Sequence, residues 1–114
     1  MRRVLLLDLK DDPELIARYE AWHAAGAVPP AVTASIRAAD IRSMEIYRTG
    51  NRLVMVMETG PNFDPAAKAA ADAANPDVVA WEELMSSFQQ PLPWASEREK
   101  WLEARRIFAL EEQP

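Results

Sequence analysis

Residues 44–59 read MEIYRTGNRLVMVMET. Gly50-Asn51 is a two-residue hairpin signal, because both residue types accept the positive φ that a reversal matched to strand twist requires. The flanks alternate with the two-residue period of a strand. The spacing predicts strands over 41–48 and 52–58, joined through Thr49-Gly50-Asn51. On the first, Met44 and Ile46 oppose Ser43, Glu45 and Tyr47. On the second, Leu53, Met55 and Met57 oppose Val54 and Val56. Apolar side chains stand on both faces of the hairpin.

Upstream, residues 4–9 (VLLLDL) form a short apolar run ending in Lys-Asp-Asp-Pro, a buried strand followed by a turn. Val4 and Leu6 share one face, Leu5, Leu7 and Leu9 the other. Asp12 then serves as N-cap and Pro13 as first residue of a helix. Its inward stripe is Leu15, Ile16, Tyr19, Trp22 and His23, and Gly26 supplies its stop. A second helix is expected from about Pro30 to Ala39, ended by Asp40. Beyond the hairpin, Thr59-Gly60-Pro61 breaks the sheet and an alanine-rich helix follows over 63–74. Asn75-Pro76 restarts a helix that turns Val78, Val79, Trp81, Leu84, Met85 and Phe88 inward. Residues 89–94 (QQPLPW) read as a rigid proline-rich loop, and 105–110 as the last strand.

The order β-α-α-β-β-α-α-β gives an α+β fold of the ferredoxin-like plan, an antiparallel sheet with helices on one face. That plan leaves the second sheet face open, yet the strands are apolar on both. A second copy packed sheet on sheet would cover it, so the expectation is a homodimer of the dimeric α+β barrel kind.

At 114 residues the chain is expected to be one domain, 1–114. There is no cysteine, which excludes disulfides, thiol nucleophiles and thiolate metal sites. With one histidine and no carboxylate spacing that suggests a cage, no metal is expected. The apolar run near the N-terminus is broken by Asp8, too short for a signal peptide or a span, so a cytoplasmic location and no membrane partner are expected. The net charge of −5 disfavours nucleic acid as a partner.

Chemistry then rests on few residues. Tyr19 and the lone His23 fall at i and i+4, so a helix puts phenol and imidazole on one face. They are acid–base equipment or, equally, a packed histidine beside a core tyrosine. Four tryptophans are many for this length. Flat aromatic faces suit the C–H faces of sugar rings, and carboxylates grip hydroxyls. Trp81-Glu82-Glu83 offers both on one helix turn, although a core tryptophan with solvated glutamates explains it as well.

The whole chain from Leu6 to Leu110 resembles the L-rhamnose mutarotase family, and most of all its L-fucose mutarotase branch. The resemblance lies in Tyr19-x3-His23, Pro30 opening the second helix, the 44–59 hairpin, Trp81-x3-Met85 and the closing Arg106-Ile107-Phe108. Residues 69–76 (AAADAANP) and 88–93 (FQQPLP) look like the fucose branch. The family interconverts the α and β anomers of a 6-deoxyhexose without metal or organic cofactor. The resemblance implies an isomerase with His23 as the main general acid/base, Tyr19 as a catalytic partner that holds a sugar oxygen or relays a proton, and Trp81 stacking on the ring. Glu82 and Glu45 are added as candidate hydroxyl ligands. Met44 and Glu82 stand where the rhamnose pattern has a tyrosine and a tryptophan, and Pro29-Pro30-Ala31 where it has Trp-Pro-Glu. The first two changes reline the pocket and are compatible with a deoxy-sugar other than L-rhamnose; the branch resemblance favours L-fucose. The competing readings are an L-rhamnose mutarotase, a non-catalytic ligand-binding domain and a cofactor-free monooxygenase of the same fold.

Overall fold

In the computed structural model, which describes residues 1–114, ten elements follow one another. They are β1 (Arg2–Leu9), α1 (Pro13–Trp22), α2 (Pro30–Ala38), β2 (Ile41–Thr49), β3 (Arg52–Thr59), α3 (Pro65–Ala73), α4 (Pro76–Ser86), β4 (Gln89–Gln90), β5 (Leu102–Glu103) and a 3₁₀ turn at Leu110–Glu112. The hairpin closes where its turn residues demand. Thr49 pairs with Arg52 across Gly50-Asn51, and Gly50 takes a φ of +57°.

Three helices start by the same device. The side chains of Asp12, Asp64 and Asn75 each accept two backbone N–H groups of the first turn, and a proline follows each cap. The proline has no N–H to leave unpaired, and each cap is worth about 1 kcal/mol. α2 also starts at a proline but has no side-chain cap.

The sheet order is β2-β3-β1-β4, antiparallel throughout, with β5 on the same edge of β1 as β4. This is the ferredoxin-like arrangement expected. Leu7, Leu9 and Leu53 on one face are almost fully buried, and Leu9 and Leu53 cluster with Tyr19, Val32, Trp81, Met85 and Phe88. On the other face Val4, Leu6, Val54 and Val56 remain partly exposed.

The expected last strand is not there. Residues 105–109 pair with nothing, and Ile107, Phe108 and Leu110 are exposed. The edge of β1 is instead filled by two short pieces: Gln89–Gln90 opposite Asp8 and Leu9, and Leu102–Glu103 opposite Leu5 and Leu6. Pro91 and Pro93 cannot donate to a ladder, so a strand that begins at Gln89 stops at once and resumes only after the loop. The loop expected over 89–94 accordingly begins with a strand. Two further corrections concern helix faces. Trp22 and Val79 lie at the margins of their helices' inward stripes and are exposed. α1 also ends at Trp22, not at Gly26; Gly26 takes a φ of +82° in the turn that follows.

Candidate active site

Several contacts fix α1 against the sheet and α4. Leu9 N–H donates to the Asn51 carbonyl (2.7 Å), and the Asn51 amide returns a bond to the Leu9 carbonyl (3.0 Å). Lys10 N–H donates to the Phe88 carbonyl (2.9 Å), which draws the end of α4 to the end of β1. Arg48 at the hairpin end donates to Glu20 of α1 at 2.6 Å.

Tyr19 therefore points into the core and is only 3 % exposed. His23 is the C-cap of α1. The two rings lie 4.3 Å apart, tilted by 33°. His23 Nδ1 donates to the Tyr19 carbonyl oxygen at 2.7 Å. A carbonyl only accepts, so Nδ1 carries the hydrogen and the neutral ring keeps its lone pair on Nε2. Trp81 of α4 meets His23 edge to face at 5.5 Å, and Trp22 at 6.2 Å.

Tyr19, His23 and Trp81 border a cavity of about 570 Å³ between the helices and the inner sheet face. Tyr19, His23, Trp81 and Glu82 all line it, so four of the five residues singled out in the sequence come together. Glu45 does not. It pairs with Val56 on β3, lies on the outer face with Tyr47, and is absent from the cavity wall. Met44 is in the wall. Glu82 also faces Lys100, with 3.5 Å between ammonium and carboxylate.

The lining residues that escaped the sequence reading include two polar groups. The Lys68–Asp72 ion pair of α3 (2.8 Å) contributes charge to the wall; its i,i+4 spacing was the available signal. Gln89 of β4 also lines the cavity, and its amide donates to the Tyr19 hydroxyl oxygen at 3.5 Å. The 88–93 segment was noted for its branch resemblance, but nothing local ties Gln89 to the site, because its partner is seventy residues away. Burial pushes the Tyr19 phenol above its ordinary range, the Gln89 amide pulls it partly back, and the Glu82 carboxylate adds a push. The phenol is thus a neutral hydrogen-bonding group at physiological pH.

Comparison with known proteins adds the decisive observation. The model of the L-rhamnose mutarotase family matches residues 2–110. The chain belongs to the L-rhamnose mutarotase family. An L-fucose mutarotase of Xanthomonas campestris pv. campestris is 54 % identical over 111 residues, covering 97 % of this chain and 89 % of that protein. A UPF0734 protein of Dictyostelium discoideum is 32 % identical over 87 residues, 75 % of this chain and 68 % of that one. Among solved structures, an L-rhamnose mutarotase from Formosa agariphila superposes with a TM-score of 0.69 at 15 % identity, covering 96 % of this chain and 98 % of that one. Tetracenomycin F2 cyclase from Streptomyces glaucescens does so with a TM-score of 0.57 at 16 % identity, covering 96 % and 95 %. At such identities the two structures establish only that the mutarotase family shares its fold with other chemistries. No helix is long and apolar enough to cross a membrane.

Proposed function

We propose that the chain is an isomerase that interconverts the α and β anomers of a 6-deoxyhexose, with L-fucose as the preferred sugar. The observation that carries this is the lone imidazole at a cavity wall beside a phenol and an indole, with its Nε2 lone pair unengaged. The likeness to an L-fucose mutarotase over nearly the whole chain supports the sugar.

Mutarotation needs a hemiacetal opened and reclosed on the other face. His23 Nε2 takes the proton of the anomeric hydroxyl as the bond between C1 and the ring oxygen breaks. The imidazolium so formed returns a proton to the ring oxygen, leaving the open aldehyde. The aldehyde end rotates, the steps run backwards, and nothing is consumed. Positioned proton transfer of this kind contributes about 10²–10⁴-fold. Tyr19, held neutral by burial, donates a hydrogen bond to a sugar oxygen and steadies charge there. Trp81 covers an apolar face of the ring, and Glu82 accepts from sugar hydroxyls. Glu45, turned to the other face of the sheet, has no part in this site. Every step uses protein side chains alone, so the reaction asks for no cofactor.

The same reading takes residues 1–114 as one mutarotase domain working in the cytoplasm as a homodimer. Partly exposed Val4, Leu6, Val54 and Val56, with Tyr47 beside them, form an apolar face that a second copy would cover. Saturation-transfer NMR on L-fucose, L-rhamnose and D-galactose tests the function. Fastest exchange on L-fucose is expected; faster exchange on L-rhamnose would overturn the sugar, and no exchange on any would overturn the reaction.

A further inference from the structure

Gln89 is the cavity residue whose side chain is partly buried and half-used. Its amide nitrogen reaches the Tyr19 hydroxyl oxygen at 3.5 Å, a long bond of the kind that tightens once a ligand seats. Its carbonyl oxygen, Oε1, is buried with no hydrogen-bond partner. A buried carbonyl left unpaired is costly, and a leucine of similar size would avoid the cost. Packing therefore does not explain the glutamine, whereas the N–H directed at Tyr19 does.

The bond has a definite consequence for the phenol. A hydroxyl can donate once and accept twice. No other side chain bonds the Tyr19 hydroxyl. With Gln89 donating to its oxygen, the Tyr19 hydrogen is left free to turn into the cavity. The frame that holds Gln89 is backbone. Gln89 pairs with Leu9 across the β4–β1 edge, and Pro91 ends that strand two residues later. The neighbouring Phe88 ring stands 5.9 Å from the Tyr19 ring, so tyrosine and glutamine are held from the same short segment.

We propose that Gln89 is a positioning residue: by donating to the Tyr19 hydroxyl oxygen it fixes Tyr19 as a hydrogen-bond donor to the sugar. This rests on the mutarotase reading for the identity of the ligand, though not for the Gln89–Tyr19 bond itself. Gln89 acts through Tyr19, so the two substitutions must not add.

The test is a double-mutant cycle of Gln89→Leu and Tyr19→Phe, with kcat and KM for L-fucose exchange read by saturation-transfer NMR. Gln89→Leu is expected to lower kcat about tenfold, with KM within threefold, in the otherwise wild-type protein. In the Tyr19→Phe protein the same change is expected to alter kcat less than twofold. Equal losses in both backgrounds would mean that Gln89 only supports the fold, and would overturn the proposal; so would wild-type kcat in Gln89→Leu. Gln89→Met repeats the cycle should the leucine protein fold poorly. A wild-type protein that exchanges no sugar defeats the mutarotase reading instead. The Gln89–Tyr19 bond is then judged by titrating the Tyr19 phenol with ¹³C-labelled tyrosine in the Tyr47→Phe protein. A midpoint that rises in Gln89→Leu supports the bond, and an unchanged midpoint overturns it.

Discussion

The Tyr19 carbonyl oxygen accepts from the His23 ring, Nδ1 to oxygen, at 2.7 Å. In a continuing helix that carbonyl would take the backbone N–H of residue 23. Here the His23 N–H turns back to Glu20 and Ala21, and the imidazole supplies the missing donor. The bond that closes the helix also fixes which ring nitrogen carries the hydrogen.

His23→Ala is expected to slow anomer exchange by about 10²-fold or more, because it removes the only imidazole in the chain. Losing the capping bond costs about 1 kcal/mol, so the protein should remain folded. Saturation-transfer NMR and urea unfolding on one sample check both. Exchange at the wild-type rate would end the claim that His23 moves the proton.

Tyr19 predicts an alkaline limb in stability. Its folded phenol is held above the ordinary value of 10.0, chiefly by burial. Below that value both folded and unfolded chains carry the proton, and Tyr19 adds no slope. As pH rises past 10 the unfolded chain ionises first, and stability falls until the folded phenol titrates. Urea midpoints from pH 8 to 11 should therefore drop more steeply for wild type than for Tyr19→Phe. Parallel curves would contradict it.

Asp40 predicts the opposite limb. Its carboxylate accepts from Asn62 N–H (2.9 Å) and from Arg42 (3.3 Å). Those bonds, the backbone one first, hold it below the ordinary 3.8. The stabilisation is present above that value and lost as pH falls through the folded one. Asp40 has a φ of +63°, which asparagine also tolerates. Asp40→Asn should flatten the acid unfolding curve below about pH 4, measured by circular dichroism. An unchanged curve would count against it.

Arg52→Leu should lower the urea midpoint of unfolding. Asp8 is 4 % exposed and is gripped by two Arg52 nitrogens, at 2.8 and 3.1 Å. Removing the cation strands a buried carboxylate, although the half-open guanidinium tempers the loss. The stack of Arg52 over Trp94 goes too. Urea unfolding at pH 7 measures it; an unchanged midpoint would show the bridge to be ornamental.

Val56→Glu puts a charge on the outer sheet face without touching the cavity. Light scattering should then find a monomer, against the dimer proposed for the wild type. A dimer in both would move the interface elsewhere.

The hairpin and the helix starts were legible because each is local. Gly50-Asn51 and the capped prolines carry their geometry in two or three adjacent residues. Tyr19 and His23 were legible as a pair because helical spacing decides their proximity. The last strand was misread because Ile107, Phe108 and Leu110 have the composition of a strand, while the edge of β1 was already occupied by Gln89–Gln90 and Leu102–Glu103. Pairing is a property of two segments, and one segment's apolar pattern cannot report it. Glu45 and Gln89 show the same limit at the site. Alternation put Glu45 opposite Met44 and Ile46, but only the sheet register showed which face borders the cavity.

The C-cap position of His23 has a consequence for how this protein can vary. A helix advances roughly 100° per residue. One residue added to or lost from the body of α1 would swing the imidazole off the cavity wall while leaving the sheet whole. The turn beyond it, through Gly26, is free of that constraint. In this fold the length of one helix sets where the proposed base stands, and a deletion within it would shift His23 together with the α1 side chains packed on the core.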